Sequence, residues 1–552
     1  MQRRTTNGSS SAGVMTGFRN VMTGSSGRRR DHPGLRPAHL GHQRLRLTLL
    51  RMQPPALVLL LASTIGIAYL LLALLLARIG GGSSSSLLRS SDYKRCRILE
   101  TSSSSQLSHL TELDLNGCGL RALSPSIRHC TNLQKLDVSN NPKLKTLPPE
   151  LAQCTKLDVL FASSNPGIKS LPSVLGTMPS ITRLGWRSGS LTELHADAIP
   201  PNIVHLILTN NQIQALESEK IFDRLVNVRK LMLSHNSIRY LLPTGVAKLK
   251  KLELLRLAGN QIGDLPNELW KLPRLTWLTI SGNEPLKLPK LEPRVPTIGL
   301  DEMEAIGDDE SSFLGAGASG SVTLRRWNDK DVAVKVIHGV TSDGRAEDEL
   351  AIYSAIGQDG MDNRVVGCLA VFEDKEEGKN GVVMETIPPG EGGEPLEDFA
   401  LPPTIVEVTA DRWPVNKNRI YDDNFVLNAM RDAVMALSYL HNTAGVAHGD
   451  FYAHNIKVDN VSGRLYLLDF GASFVKGQYA KEAEKIEVRA FGVLLQELLE
   501  RRREEAERNN DEIQQSKAIK LMEDLIPSCM NEEVSSRPSF RELKESIVER
   551  SQ

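Results

Sequence analysis

The sequence predicts a multidomain chain: one N-terminal membrane-spanning helix, then an α/β repeat solenoid, then an α+β fold of two lobes. Three observations predict it. Residues 56–77, ALVLLLASTIGIAYLLLALLLA, are 22 consecutive residues without a charge. An L-x-x-L-x-L-x-x-[NC]-x-L pattern then recurs eight times at intervals of 22 to 25 residues. After Pro293 the leucine period stops, and a Gly-rich loop, a strand-borne lysine and two aspartate-containing motifs follow in order. At 552 residues the chain exceeds the ~100–200 residues of one ordinary domain, so several folded units are the starting expectation.

Residues 1–54 are rich in Ser, Gly and Arg and hold a single acidic residue, Asp31, a composition that cannot build a packed core. They are expected to be a disordered basic segment. At 1.5 Å per residue the apolar run spans the ~30 Å hydrocarbon layer, so residues 55–78 are expected to form a transmembrane helix. A cleavable secretory signal has a shorter apolar run of ~7–15 residues nearer the N-terminus, which favours an uncleaved anchor. Residues 79–106, with the Gly- and Ser-rich stretch 81–86, are expected to be a linker. Lys+Arg and Asp+Glu balance at 66 each, which excludes a general nucleic-acid binder. The six cysteines show no C-x-x-C spacing, so neither a zinc site nor a redox motif is expected. They are expected to be reduced, mostly buried thiols.

The repeat begins with Leu110, Leu113, Leu115, Cys118 and Leu120; good copies follow from Leu133, Leu157, Ile203, Val228, Leu252 and Leu275, with a degenerate one at Ile181, Leu184 and Trp186. The x-L-x-L centre alternates as a short strand, and the Asn amide is suited to bonding backbone where the chain turns inward. Each unit buries its leucines against the next. The pattern resembles leucine-rich-repeat proteins over residues 107–292. That resemblance implies a strand-lined concave face and, by analogy of fold, a protein ligand on it. The degenerate unit lacks the Asn and is expected to expose polar and aromatic residues.

Residues 293–310 carry an acidic run and are expected to be a second linker. LGAGASGSV then places Gly315, Gly317, Gly320 and Val322 ahead of Val332-Ala333-Val334-Lys335. A dinucleotide-binding reading requires a helix opening on the glycines, whereas this chain continues as strand. Further on, HGDFYAHN holds Asp450 and Asn455, and Asp469-Phe470-Gly471 follows. Together G-x-G-x-x-G-x-V, V-A-V-K, H-x-D-x-x-x-x-N and D-F-G resemble protein kinases over residues 311–550, and R-P-S-F at 537–540 resembles their closing segment.

The resemblance implies a two-lobed protein-kinase-like fold that uses ATP and Mg2+. It implies glycines whose backbone approaches the phosphates, Val322 and Ala333 over the adenine, and Lys335 on the α- and β-phosphates. Glu349 is the expected ion-pair partner of Lys335, with Glu347 as the fallback. Met384 stands at the gatekeeper place, with the backbone of Glu385 and Ile387 as adenine-bonding groups. Asp450 is the expected catalytic base, and Asn455 and Asp469 the magnesium ligands.

The pattern is broken in places. Gly449 and Tyr452 stand where many kinases carry an Arg and a Lys, Glu487 replaces an Asp, and the segment after Asp469 is clipped, with no A-P-E. Residues 388–414 read as an insertion. A protein kinase acting on protein hydroxyls, with Ser or Thr the expected acceptor, is the leading expectation. The alternatives are an ATP-binding scaffold without efficient transfer and a small-molecule phosphotransferase. Arg28, Arg29, Arg30, Arg44, Arg46 and Arg51 precede the apolar run and only Arg78 closely follows it. The positive-inside rule therefore favours a cytoplasmic N-terminus, against the cytosolic side that ATP use implies for the kinase-like domain.

Overall fold

The computed structural model describes residues 94–551, apart from 308–311, 318–319, 338–343, 375–377, 416–418 and 510–515. The expected basic segment, the apolar run at 56–77 and most of the first linker lie outside the described residues. Among the described residues no helix is long and apolar enough to cross a membrane. The described residues form one compact unit.

A cap of two helical turns, α1 (Ile98–Thr101) and α2 (Ser104–Leu107), opens the described chain. Its Leu99 and Leu107 enter the repeat core, so part of the expected linker is a folded lid on the first repeat. Cys96 and Cys118 form a disulfide that ties this cap to the first repeat, which corrects the expectation of six reduced thiols. Cys118 holds the position that Asn takes in later copies, and it is committed to the cap instead. Cys130, Cys154, Cys368 and Cys529 are free and buried.

Each repeat contributes one strand: β1 (Glu112–Asp114), β2 (Lys135–Asp137), β3 (Val159–Phe161), β4 (Arg183–Gly185), β5 (His205–Ile207), β6 (Lys230–Met232), β7 (Leu254–Arg256) and β8 (Trp277–Thr279). The eight pair in parallel in sequence order. Their central leucines, from Leu113 to Leu278, are buried, and the chain returns through 3-10 turns and two short helices, α3 (Glu219–Arg224) and α4 (Pro243–Val246). The asparagines join neighbouring units. Asn260 donates to Leu257 O at 2.9 Å in its own unit and to Leu233 O at 3.0 Å in the preceding one, while its Oδ1 accepts from Ile238 N at 3.0 Å. Asn141, Asn236 and Asn283 repeat the arrangement. In the degenerate unit Trp186 is fully buried in the position other copies give to Val138, Ala162 or Leu208. The expected aromatic exposure there is therefore corrected.

The residues expected to link the modules instead belong to the following sheet: β9 (Thr297–Ile298) pairs with β14 (Cys368–Asp374), and β10 (Glu304–Ala305) with β12 (Gly320–Trp327). Glu304 and Ala305 of β10 are exposed at the sheet edge. The sheet is completed by β11 (Phe313–Gly317), β12 (Gly320–Trp327), β13 (Lys330–Ile337), β14 (Cys368–Asp374) and β15 (Lys379–Glu385), in the order β10-β12-β13-β15-β14-β9 with β11 against β12. Helix α5 (Ala346–Ile356) packs on β14 and β15.

The second lobe is helical: α6 (Asp423–Tyr439), α7 (Ala480–Asn509), α8 (Lys517–Cys529) and α9 (Phe540–Ser551). Short strands β16 (Glu397–Asp398), β17 (Val446–Ala447), β18 (Ile456–Val458), β19 (Leu465–Leu467) and β20 (Phe474–Val475) carry the connecting loops. The charged stretch 500–508 of α7 is only partly solvated. Arg502 is buried and its Nε donates to Asp423 Oδ1 at 2.8 Å, at the start of α6.

The two modules share their cores. Ala447, Phe474, Tyr479, Ala483 and Ile486 join the repeat core, and Leu254 and Trp277, on the outward strand face, join the core of the helical lobe. The residues read as an insertion, 388–414, also reach the sheet: Val408 O accepts from Lys230 Nζ at 3.2 Å, and Thr409 Oγ1 accepts from Arg229 Nη2 at 3.2 Å. The strand face from β6 to β8 is thus covered by the chain itself, which leaves the earlier strands for the expected protein ligand. On β1 the outward Glu112 and Asp114 remain exposed.

Replacing Asn260 with Ala leaves the buried Ile238 N–H without its acceptor and removes one of the two donors on Leu257 O and on Leu233 O, which keep Asn283 and Asn236. We expect a loss of about 3 kcal/mol in urea unfolding; a change below 1 kcal/mol would show that the ladder is dispensable.

Candidate active site

The Gly-rich hairpin sits at the edge of the first lobe, where β11 and β12 meet: Gly315 pairs with Val322 and Gly317 with Gly320. Gly320 is required on steric grounds, because a Cβ there would stand 2.2 Å from Val336 O. Across the sheet Val322 pairs with Lys335, and Ala333 with both Leu324 and Met384. Val322 and Ala333 are partly buried and pack against the second-lobe core, and Met384 is buried at the end of β15. The N–H of Glu385 donates to Gly367 O at 3.2 Å, which leaves its carbonyl as the group it could offer a base. Ile387 lies just past the strand, packed against the same core.

Lys335 on β13 donates to Glu349 Oε1 on α5 at 2.7 Å and stands 3.5 Å from Asp469 Oδ1. Lys335 and Glu349 are both buried. Burial would push the ammonium down, but the surrounding groups, Asp469 and Glu349 among them, outweigh it and hold its pKa above the usual lysine range. Glu347 points away, largely exposed, 3.8 Å from Arg345. Of the two carboxylates weighed for this pair, the structure brings Glu349 to the lysine.

Asp469 adopts a left-handed backbone, φ 60°, and turns its half-exposed carboxylate to Lys335. Phe470 is fully buried, edge-on to Tyr353 of α5 at 5.1 Å and tilted against His448 at 5.2 Å. This stack ties helix α5 to the loop bearing Asp450. Asn455 Nδ2 donates to Asp450 O at 2.8 Å and approaches Asp450 Oδ2 at 3.3 Å. With its amide nitrogen so engaged, Asn455 has its Oδ1 available to a cation. Among the described residues no group of three or more His, Cys, Asp or Glu could hold a metal ion by itself. Asn455 and Asp469 fit a hard cation shared with phosphate oxygens rather than one caged by protein.

Glu487 on α7 anchors the loop from below. It accepts from Gly449 N at 2.7 Å, from His448 N at 3.1 Å and contacts His441 Nε2 at 2.5 Å. Burial raises its pKa, but these bonds prevail and it stands below the usual carboxylate range. The replacement of Asp by Glu therefore keeps a loop anchor. On the other side Asp411, from the residues read as an insertion, bonds His454 Nδ1 at 2.6 Å and His454 N at 3.1 Å.

Two residues of the site come from the repeat sheet, and sequence reasoning missed both. Arg256, 3 % exposed, donates from Nη1 to Gly449 O at 3.0 Å and from Nη2 to Asp450 Oδ1. Trp277 donates from Nε1 to Phe451 O at 2.9 Å and stacks on Tyr452, with ring centroids 4.0 Å apart. Gly449 sits at φ 76°, and a Cβ there would meet Ala472 O at 2.4 Å and Leu278 O at 2.7 Å, so the repeat backbone itself forbids a side chain at that position. Burial raises the Asp450 pKa, but Arg256, His454 and His448 more than offset it and keep the carboxyl below its usual range. A signal was present: β1 carries Glu112 and Asp114 outward, whereas β7 and β8 carry Leu254 and Trp277 there.

Comparison with known families agrees with this architecture. Residues 309–488 match the protein kinase domain model, residues 201–262 and 227–284 the leucine-rich repeat model, and residues 108–153 a two-copy leucine-rich repeat model. The chain joins leucine-rich repeats to a protein kinase domain. No curated protein matches it. The kinase-domain match ends at residue 488, early in α7, and the remaining helices complete the second lobe.

Breaking the buried pair through Glu349→Ala is expected to cost about 3–5 kcal/mol and to weaken ATP-dependent thermal stabilisation, while Glu347→Ala leaves both near wild type. Equal effects from the two substitutions would refute the assignment.

Proposed function

We propose that the chain is an ATP-dependent protein kinase acting in signalling, with protein serine or threonine hydroxyls as acceptors. The observation that carries this reading is the nucleotide side of the cleft: the Lys335–Glu349 pair is closed, Asp469 faces Lys335 and Phe470 is buried under α5. In this reading Lys335 binds the α- and β-phosphates beneath the Gly315, Gly317 and Gly320 loop. Val322, Ala333 and Met384 enclose the adenine, with backbone groups of Glu385 and Ile387 at its edge. Asn455 and Asp469 would hold magnesium, which supplies charge neutralisation on the phosphates. Asp450 orients the acceptor hydroxyl and takes its proton.

A second reading, an ATP-binding scaffold without efficient transfer, is favoured by the bond that Arg256 makes to Asp450. The two are separated with the full chain, radiolabelled ATP and magnesium, using the protein itself and casein as acceptors. Transfer abolished by both Lys335→Met and Asp450→Asn supports the kinase; magnesium-ATP stabilisation without transfer supports the scaffold. Absence of any nucleotide-induced shift in melting temperature refutes both.

An outside protein ligand for the repeats is proposed for the first units, where Glu112 and Asp114 are exposed. Single-pass membrane attachment through residues 56–77, with the kinase domain on the cytosolic side, is proposed from the apolar run and from the need for ATP. The arginine-rich leader and the Cys96–Cys118 disulfide argue for the opposite face. Protease treatment of sealed vesicles decides: digestion of a C-terminal tag from outside supports the cytosolic placement, and its protection until detergent is added overturns it.

A further inference from the structure

The catalytic loop, His448 to Asn455, contains no Arg or Lys. The cation bonded to Asp450 arrives from the other module, on strand β7. We propose that Arg256 is a positioning residue of the phosphotransfer site, and that the leucine-rich-repeat sheet forms a permanent wall of that site. This rests on the kinase reading above.

Three observations favour a built-in part over a removable brake. Arg256 is held at two points, Gly449 O and Asp450 Oδ1, so it fixes the loop backbone as well as the carboxylate. With Oδ1 taken by the guanidinium and Oδ2 3.3 Å from the Asn455 amide, the carboxylate is restrained from both sides. A proton acceptor held in one orientation is what transfer to a positioned hydroxyl requires. The surroundings also resist opening. Leu254 and Trp277 belong to the core of the helical lobe, while Phe474, Tyr479 and Ile486 belong to the repeat core. Tyr479 stacks on Trp270 at 5.0 Å, and Arg537 Nη2 donates to Pro273 O at 2.8 Å. Separating the modules would expose two apolar cores and a buried guanidinium together, the behaviour of an obligate interface rather than of a lid.

The short segment between Asp469 and α7 fits the same arrangement. It runs through β20, paired with β17, and reaches helix α7 at Ala480. The place beside the catalytic loop is filled by β7 and β8.

The charged and titratable groups facing Asp450 are Arg256 from the sheet, His448 and Tyr452 from its own loop, and His454, itself bonded to Asp411.

The test uses the full chain with magnesium-ATP and casein, comparing wild type, Arg256→Ala and Arg256→Lys. We expect Arg256→Ala to lower kcat by about 10- to 100-fold with KM for ATP within twofold of wild type. Arg256→Lys should restore most of the rate. Wild-type transfer with Arg256→Ala equally active, or faster, overturns the inference and leaves the kinase reading intact. No transfer by wild type, with magnesium-ATP stabilisation retained, overturns both; transfer gained by Arg256→Ala in that case identifies a brake.

Discussion

A guanidinium buried to 3 % exposure must find partners, and Arg256 finds them on the loop that carries Asp450. An unpaired charge in that position would be far more costly than the pair. The arrangement of the two modules depends on this contact and on the apolar surface around it. Leu254 and Trp277 flank Arg256 on the same outward face, where a free solenoid would present polar side chains, and they are buried in the neighbouring lobe. The repeat sheet is therefore a load-sharing element of the kinase domain, joined to it by core packing and by backbone contacts such as Trp277 to Phe451.

Around the cleft, each polar group is fixed by a neighbour from a different element. Lys335 on β13 is held by Glu349 on α5; α5 is held through Tyr353 to Phe470; Phe470 rests on His448; and the backbone beside His448 hangs from Glu487 on α7. Buried ion pairs contribute little net stability but strongly penalise partial assembly. A chain of such pairs makes the two lobes and the catalytic loop interdependent. Arg256 and Asp411 extend that dependence outward to the repeat sheet and to residues 388–414.

The departures from the usual kinase pattern become one consistent set. Gly449 has no room for a side chain because Leu278 O and Ala472 O lie against it. Tyr452 is where Trp277 stacks. The connection from Asp469 to α7 is short because β7 and β8 occupy the adjoining space. Glu487 reaches the loop backbone in the place of the expected Asp. Gly449 and Tyr452 are complementary to the sheet packed against them, while Glu487 keeps the anchor of the loop.

Local pattern was enough for much of this protein. The leucine period specifies the strands and the buried Asn ladder, because each unit repeats one short-range solution to burying its leucines. Motif spacing was enough to bring Lys335, Glu349 and Asp469 together, since those residues sit at fixed points of a regular fold. The Cys96–Cys118 bond, the folded cap, the strands at Thr297–Ile298 and Glu304–Ala305 and the burial of Trp186 were not legible, because none follows a local period. Above all, Arg256 and Asp450 are 194 residues apart in sequence. Sequence alone determined two modules and the pairing of Lys335 with Glu349. Only tertiary packing decided that the modules share a core, because that contact depends on the outward faces of strands whose inward faces alone define the repeat.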